Sequence, residues 1–165
     1  MLIAVVTLGS LFGCGGGSNA TPNPFAGGRS FNYFNTNDPK TGVIEVVVRP
    51  NGSFEPNGAV YSYEYNGSDF IYDQGDVTSG QIDTGGNFVI EAIVNKEGYP
   101  PTDKLEPYAF VAKGRAIARG AHYEGTMTVA YYDWSPATGR AETPRTELSF
   151  NLFVHKVDRS KLVKR

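Results

Sequence analysis

Residues 110–132 read FVAKGRAIARGAHYEGTMTVAYY, and this stretch predicts a β-hairpin down to its register. Gly120-Ala121 fit the two central positions of a type II′ turn, which takes glycine first. The alternate pairs that this turn sets are apolar: Ala118 with Tyr123, Ala116 with Gly125, Gly114 with Met127, Ala112 with Val129, and Phe110 with Tyr131. The pairs between them are mostly polar: Arg119 with His122, Ile117 with Glu124, Arg115 with Thr126, and Lys113 with Thr128. One face of the hairpin is therefore expected to be buried and the other to face water.

Two further hairpin loops repeat one pattern. Pro50-Asn51-Gly52 and Thr84-Gly85-Gly86 each fit a three-residue loop whose last glycine takes the left-handed conformation. An aliphatic residue and a phenylalanine stand at the same offsets around both loops, which sets Val48 opposite Phe54 and Ile82 opposite Phe88. These loops and the Gly120 turn recur at a nearly constant spacing. We expect two strands between each turn and the next, so that all three turns lie at one end of a meander.

The remaining strands complete an all-β domain. The 165 residues are enough for one domain, and 20 glycines, 10 prolines and many Tyr, Phe and Val residues favour strands over helices. Strands are predicted at 29–36, 42–49, 88–94 and 145–156, with one more on each side of Asn66-Gly67. With the hairpin they give an eight-stranded antiparallel up-and-down meander that closes into a barrel, with a flattened β-sandwich as the alternative.

The third and fourth strands have the weakest pattern. Asn66-Gly67 is typical of a type I′ turn, which would pair Tyr63 with Phe70 and Tyr61 with Tyr72. Pro56, Gly58 and Gly75 interrupt the alternation, so we expect bulges there.

The N-terminus carries a targeting pattern. An apolar run at 2–12 has the length of a signal-peptide core, and Leu11-Phe12-Gly13-Cys14 followed by glycines and Ser18 resembles the lipobox of a bacterial lipoprotein precursor. The resemblance implies a signal peptide at 1–13, a lipid attached to Cys14, and membrane anchoring in the bacterial cell envelope, at the outer membrane or cell surface. A plain secretory signal is the alternative.

The rest of the chain divides by composition. Residues 14–28 are rich in Gly, Ser and Pro and predict a flexible tether, 29–156 hold the barrel, and 157–165 form a basic tail. With eight strands, both termini leave the barrel at the end with the tight turns. The tail is expected to be solvated, or else to touch anionic lipid headgroups.

The two longest predicted loops, 96–107 and 133–144, fall at the opposite end, which the anchor would turn away from the membrane. They carry residue types found at binding hot spots. The candidate partner-binding residues are Tyr99, Leu105, Tyr108, Trp134 and Arg140. We expect a protein or glycan partner there, unless Trp134 and Tyr99 fold back to plug the barrel.

No residue pattern points to catalysis, a metal site or a cofactor. His122 and His155 share no site in the predicted register, and Asp69, Asp73 and Asp76 lack the spacing of a calcium loop, so they are best explained as solvated charges at a strand edge. A formal net charge of −2 gives no excess of positive charge that would indicate nucleic-acid binding.

Two functions remain open. The first is a non-enzymatic binding or structural module, similar in general plan to the small lipidated barrels of bacterial surfaces, including the barrel halves of transferrin-binding-type lipoproteins. The second is a lipocalin-like carrier of a small apolar ligand, for which small inward residues would leave room: Ala112, Gly114, Ala116, Ala118 and Gly125.

Overall fold

A computed structural model describes residues 21–37, 40–56, 58–66, 69–98, 107–158, 160 and 162. These residues form nine strands and no α-helix. In chain order the strands are β1 (Gly27–Phe34), β2 (Lys40–Val48), β3 (Gly58–Asn66), β4 (Asp69–Ile82), β5 (Asn87–Gly98), β6 (Tyr108–Arg119), β7 (His122–Ser135), β8 (Gly139–Arg140) and β9 (Thr146–Lys156).

The sheet closes on itself. From β1 to β7 each strand pairs with the next in antiparallel fashion, and β9 pairs with both β7 and β1. The result is an eight-stranded up-and-down barrel, and the two-residue β8 is an extra strand that pairs only with the end of β7. The predicted fold class is confirmed, and the closed ladder rules out the sandwich.

The β6–β7 hairpin has the predicted register throughout, from Arg119 opposite His122 to Phe110 opposite Tyr131. Gly120 has a φ of 65°, which its place in the turn requires and which other residues rarely adopt. The inward residues Phe110, Ala112 and Met127 are buried, while the outward Lys113 is exposed.

Both repeated loops also form as predicted. Val48 bridges Phe54, and Ile82 pairs with Phe88. The last glycine of each loop has positive φ, 89° at Gly52 and 84° at Gly86.

The predicted register of β3 and β4 was wrong by two residues. Asn66 pairs with Asp69 and Tyr63 pairs with Tyr72, so each β3 residue faces a β4 residue two positions later than expected. A shift of two residues keeps every side chain on its face, so the tyrosines still cluster, with the Tyr63 and Tyr72 ring centroids 5.3 Å apart.

The predicted bulge at Gly75 was also wrong. Gly75 pairs regularly with Val94, and the register shift in β4 falls between Val77 and Ser79. The close approach of β5 requires a glycine at position 75, because a Cβ there would collide with the main chain at Ile93 and Val94.

The core fills the barrel. Alternate residues of all eight wall strands point inward and pack together, including Phe31, Ile44, Ile90, Val129 and Phe150, each at most 2% exposed.

The segment before β1 closes one mouth of the barrel. Phe25 is 1% exposed and packs on Tyr123 at 4.3 Å between ring centroids. The Asn23 side-chain amide donates to the Ile82 carbonyl at 2.8 Å, and Arg29 Nη2 donates to the Pro24 carbonyl at 2.9 Å. The last part of the predicted tether therefore belongs to the domain: β1 begins at Gly27, and the packed segment reaches back to Asn23.

Candidate functional site

The wall of the barrel extends into a small hairpin at the mouth opposite the tight turns. β7 runs past Asp133, its last pair with β6, and residues 136–138 turn the chain back into β8. Gly139 has a φ of 75° where the chain returns, and the Ser135 hydroxyl accepts a hydrogen bond from the Ala137 amide at 3.2 Å. This β7–β8 hairpin sets Trp134 opposite Arg140.

Arg140 ties the hairpin to the outer wall. Its Nη1 lies 3.3 Å from Glu91 Oε1 on β5, and its guanidinium stands over the Tyr132 ring at 4.8 Å from the centroid. Both charged side chains keep about two fifths of their surface exposed, at 41% and 43%. A pair so exposed contributes little to stability. Because both side chains are partly exposed, a ligand can still reach their hydrogen-bonding groups.

The irregularity in β4 lies beside this pair. Thr78 is the extra residue between Val77, which pairs with Ala92, and Ser79, which pairs with Glu91. The Ser79 hydroxyl donates to Glu91 Oε2 at 3.0 Å, so the carboxylate is held from two sides, by β4 and by the hairpin. Bulges of this kind re-aim side chains and are common next to binding sites.

A depression of about 320 Å³ lies between the hairpin and the wall. We call it the hairpin cleft, and its side chains are Thr78, Glu91, Ile93, Ala109, Trp134 and Arg140. Trp134 is half-buried and supplies an aromatic wall, the small Ala109 leaves room at the floor, and the rim carries a cation, a carboxylate and a hydroxyl. An apolar face beside a few fixed polar groups is what binding sites for small polar molecules need.

A buried polar pair lies inside the same mouth. Tyr108 is 5% exposed, and its hydroxyl donates to Asp73 Oδ2 at 2.9 Å. Burial, reinforced by the Asp73 charge, raises the pKa of Tyr108 well above its usual value. Asp73 is 7% exposed, so its interpretation as a solvated edge charge was wrong: Asp73 lies on the inward face of β4, in register with the buried Ser62.

The histidines lie nearer to each other than the sequence indicated. The Phe153 ring stands between them, 4.4 Å from the His122 ring and 5.8 Å from the His155 ring. His122 Nε2 is 2.9 Å from Glu124 Oε1, and His155 Nδ1 is 3.2 Å from the Asn32 amide nitrogen. Among the residues that the structure describes, no three His, Cys, Asp or Glu side chains are grouped closely enough to hold a metal ion.

The candidate residues identified from the sequence lie at different places in the structure. Trp134 and Arg140 come together in the hairpin cleft, whereas Tyr108 is buried in the barrel and does not reach an outer surface. Tyr99, Leu105 and Cys14 lie outside the described residues. Sequence reasoning missed Glu91 and Thr78. The only local signal for Glu91 is that it is a polar residue on an otherwise apolar strand, and the only one for Thr78 is the Thr-Ser pair that breaks the alternation.

Comparisons with protein-family models, with curated proteins and with solved structures found no match to this chain. In the part of the chain with described coordinates, no helix is long and apolar enough to cross a membrane.

Proposed function

We propose that this protein is a non-enzymatic binding module of the bacterial cell envelope, anchored by lipid on Cys14, that meets a protein or glycan partner at the hairpin cleft. The observation that carries the proposal is the cleft itself, in which Trp134 and Arg140 stand beside Glu91 on the outside of a rigid wall. Aromatic and arginine side chains are the types enriched at binding hot spots. The cleft holds groups that can bind and orient a ligand.

The positions of the N-terminal segment and the hairpin cleft at opposite mouths of the barrel support anchoring at one end and binding at the other. The packed N-terminal segment enters at the mouth with the tight turns, next to Pro50 and Ile82, and the hairpin cleft lies toward the other mouth. The chain between Cys14 and Asn23 spans at most about 30 Å when fully extended. A lipid on Cys14 would therefore hold the tight-turn mouth near the membrane and direct the cleft away from it.

The filled interior favours this proposal over a carrier of small apolar ligands. The small residues Ala112 and Ala116 are both at most 2% exposed and belong to the same packed cluster as the large side chains of the core. Three depressions in the described part of the chain are all open to solvent rather than enclosed. A carrier needs an enclosed site that buries most of its ligand.

Anchoring is tested by expressing the full chain in a bacterial host with labelled fatty acid. We expect the wild type to take up the label and to fractionate with membranes, and Cys14→Ala to take up no label. Unlabelled wild type in the soluble fraction would refute the anchor while leaving the binding proposal in place.

Binding is tested with the Cys14→Ala protein, purified in detergent and immobilised, against separate protein and glycan fractions of bacterial envelopes. The Trp134→Ala/Arg140→Ala double variant should lose the bound material, because it removes the aromatic wall and the cation together. Arg119→Gln is the matched control, since Arg119 is exposed at the opposite mouth. Equal binding by all three proteins would refute the cleft as the site.

A further inference from the structure

The outer wall carries a second and larger depression of about 590 Å³ across β6, β7 and β9. Two in-register rows of outward side chains line it, and we call it the cationic groove. One row is Lys113, Thr128 and Ser149, and the other is Arg115, Thr126 and Asn151. The long cations stand on β6 and the short polar side chains on β7 and β9, which leaves an open space over β7 and β9.

The groove is positively charged in a protein whose formal net charge is −2. Its lining holds two cations and no carboxylate. Acidic residues lie near its margins. Glu124 precedes Thr126 on β7 and lies 2.9 Å from His122, Glu147 precedes Ser149 on β9, and the Asp83 carboxylate accepts hydrogen bonds from both the amide and the side chain of Asn87. Glu91, beside Val111 on β5, is held by Arg140 and Ser79.

The two cations differ in how they are held. Arg115 Nε donates a long hydrogen bond of 3.4 Å to the Gly85 carbonyl, and within the described part of the chain its two terminal nitrogens form no hydrogen bond. Lys113 is exposed on the same face two residues earlier. Within the described part of the chain, neither forms an ion pair with a carboxylate. An oriented guanidinium fork of this kind matches a carboxylate with two parallel hydrogen bonds.

We propose that the cationic groove binds an acidic saccharide, one whose sugars carry carboxylate groups. The guanidinium and the ammonium would take the carboxylates, and the Thr, Ser and Asn side chains would pair with sugar hydroxyls. Nucleic acid fits less well, because no aromatic side chain faces outward from the lining to stack on a base.

The groove is separate from the hairpin cleft and does not depend on the lipid anchor. By register, Val111 and Ala130 lie between the two sites on β6 and β7, and both are buried, at 5% and 8% exposed. Loss of binding in one site should therefore leave the other intact.

The test is calorimetric titration of the Cys14→Ala protein, purified in detergent, with oligogalacturonate at low ionic strength. Lys113→Gln/Arg115→Gln should bind at least about tenfold more weakly, since it removes two charge-assisted contacts. Arg119→Gln is the matched control: Arg119 is an exposed cation on the same strand and the same face, outside the groove. It should bind as the wild type does. Equal melting temperatures for all variants would show that the loss is not due to unfolding.

Three results would overturn the proposal. They are an absence of saturable binding, an equal loss of affinity in Arg119→Gln and in the double variant, and single-stranded DNA of matched charge binding as tightly as oligogalacturonate. The last two would mean that the wall attracts anions in general.

Discussion

At Gly125 the barrel leaves no room for a side chain. A Cβ there would collide with the Arg115 carbonyl on the neighbouring strand, so the residue is fixed by the close approach of two backbones. We expect Gly125→Leu to lower the free energy of unfolding by about 3 kcal/mol or more, at or above the upper end for overpacking. Urea denaturation measures the change. Thr126→Leu is the control, because the next residue is exposed on the outer face and should cost little.

Tyr33 makes stability depend on pH in the alkaline range. It is 3% exposed, and burial raises its pKa from 10.0 to about 12, with smaller effects from Ser62 and Asp73. The folded state holds the proton more tightly than the unfolded state, so this contribution is fully present below pH 10 and is lost as the pH rises toward 12.

Tyr33→Phe should therefore flatten the alkaline limb. From about pH 10 to 12 the wild type should lose roughly 3 kcal/mol more than the variant, from about 1.4 kcal/mol per pKa unit. Tyr132→Phe, on the outer wall, is the control. Parallel pH profiles for wild type and Tyr33→Phe in chemical denaturation would show that folding does not raise the pKa of Tyr33.

The segment before β1 is an element of the fold in its own right, because Phe25 fills the mouth of the barrel against Tyr123. Phe25→Ala should cost about 3–5 kcal/mol, the usual range for removing a buried phenylalanine. Thr21→Ala should be neutral, because Thr21 is exposed. Unchanged thermal stability in Phe25→Ala would mean that the mouth is closed by something else.

The elements differ in how well local sequence predicts them. The β6–β7 hairpin followed from one glycine turn and a strict alternation, both of which lie within 23 residues of continuous sequence. The β3–β4 turn did not, because Asn66-Gly67 and the adjacent Gly67-Ser68 are both good turn residues and either register buries the same face.

The site was predictable only in part. Trp134 and Arg140 were found because they lie in one loop and are hot-spot types. Glu91 is 49 residues from Arg140, and Asp73 is 35 residues from Tyr108. Contacts over such separations come from barrel closure, and no local pattern encodes them.

At the scale of the whole molecule, the closed barrel divides its surfaces into a filled interior, a mouth near the N-terminal segment and an outer wall with two polar depressions. A filled interior predicts that a fluorescent fatty acid will not bind saturably. Ala112→Phe would overfill the interior, but it should bind no less fatty acid than the wild type, because the wild type already has no room for it. Stoichiometric fatty-acid binding by the wild type would revive the carrier function.

The most direct test of the central claim uses Trp134, the single tryptophan in the chain, as its own reporter. The Cys14→Ala protein, purified in detergent, is titrated with the envelope fraction it binds, and its emission is followed. We predict a saturable change in Trp134 emission that is lost in Arg140→Gln and retained in Arg145→Gln, whose arginine pairs with the exposed Asp133 outside the cleft. Binding that saturates without changing the emission, or that Arg140→Gln leaves intact, would contradict the proposal that the hairpin cleft is the working surface.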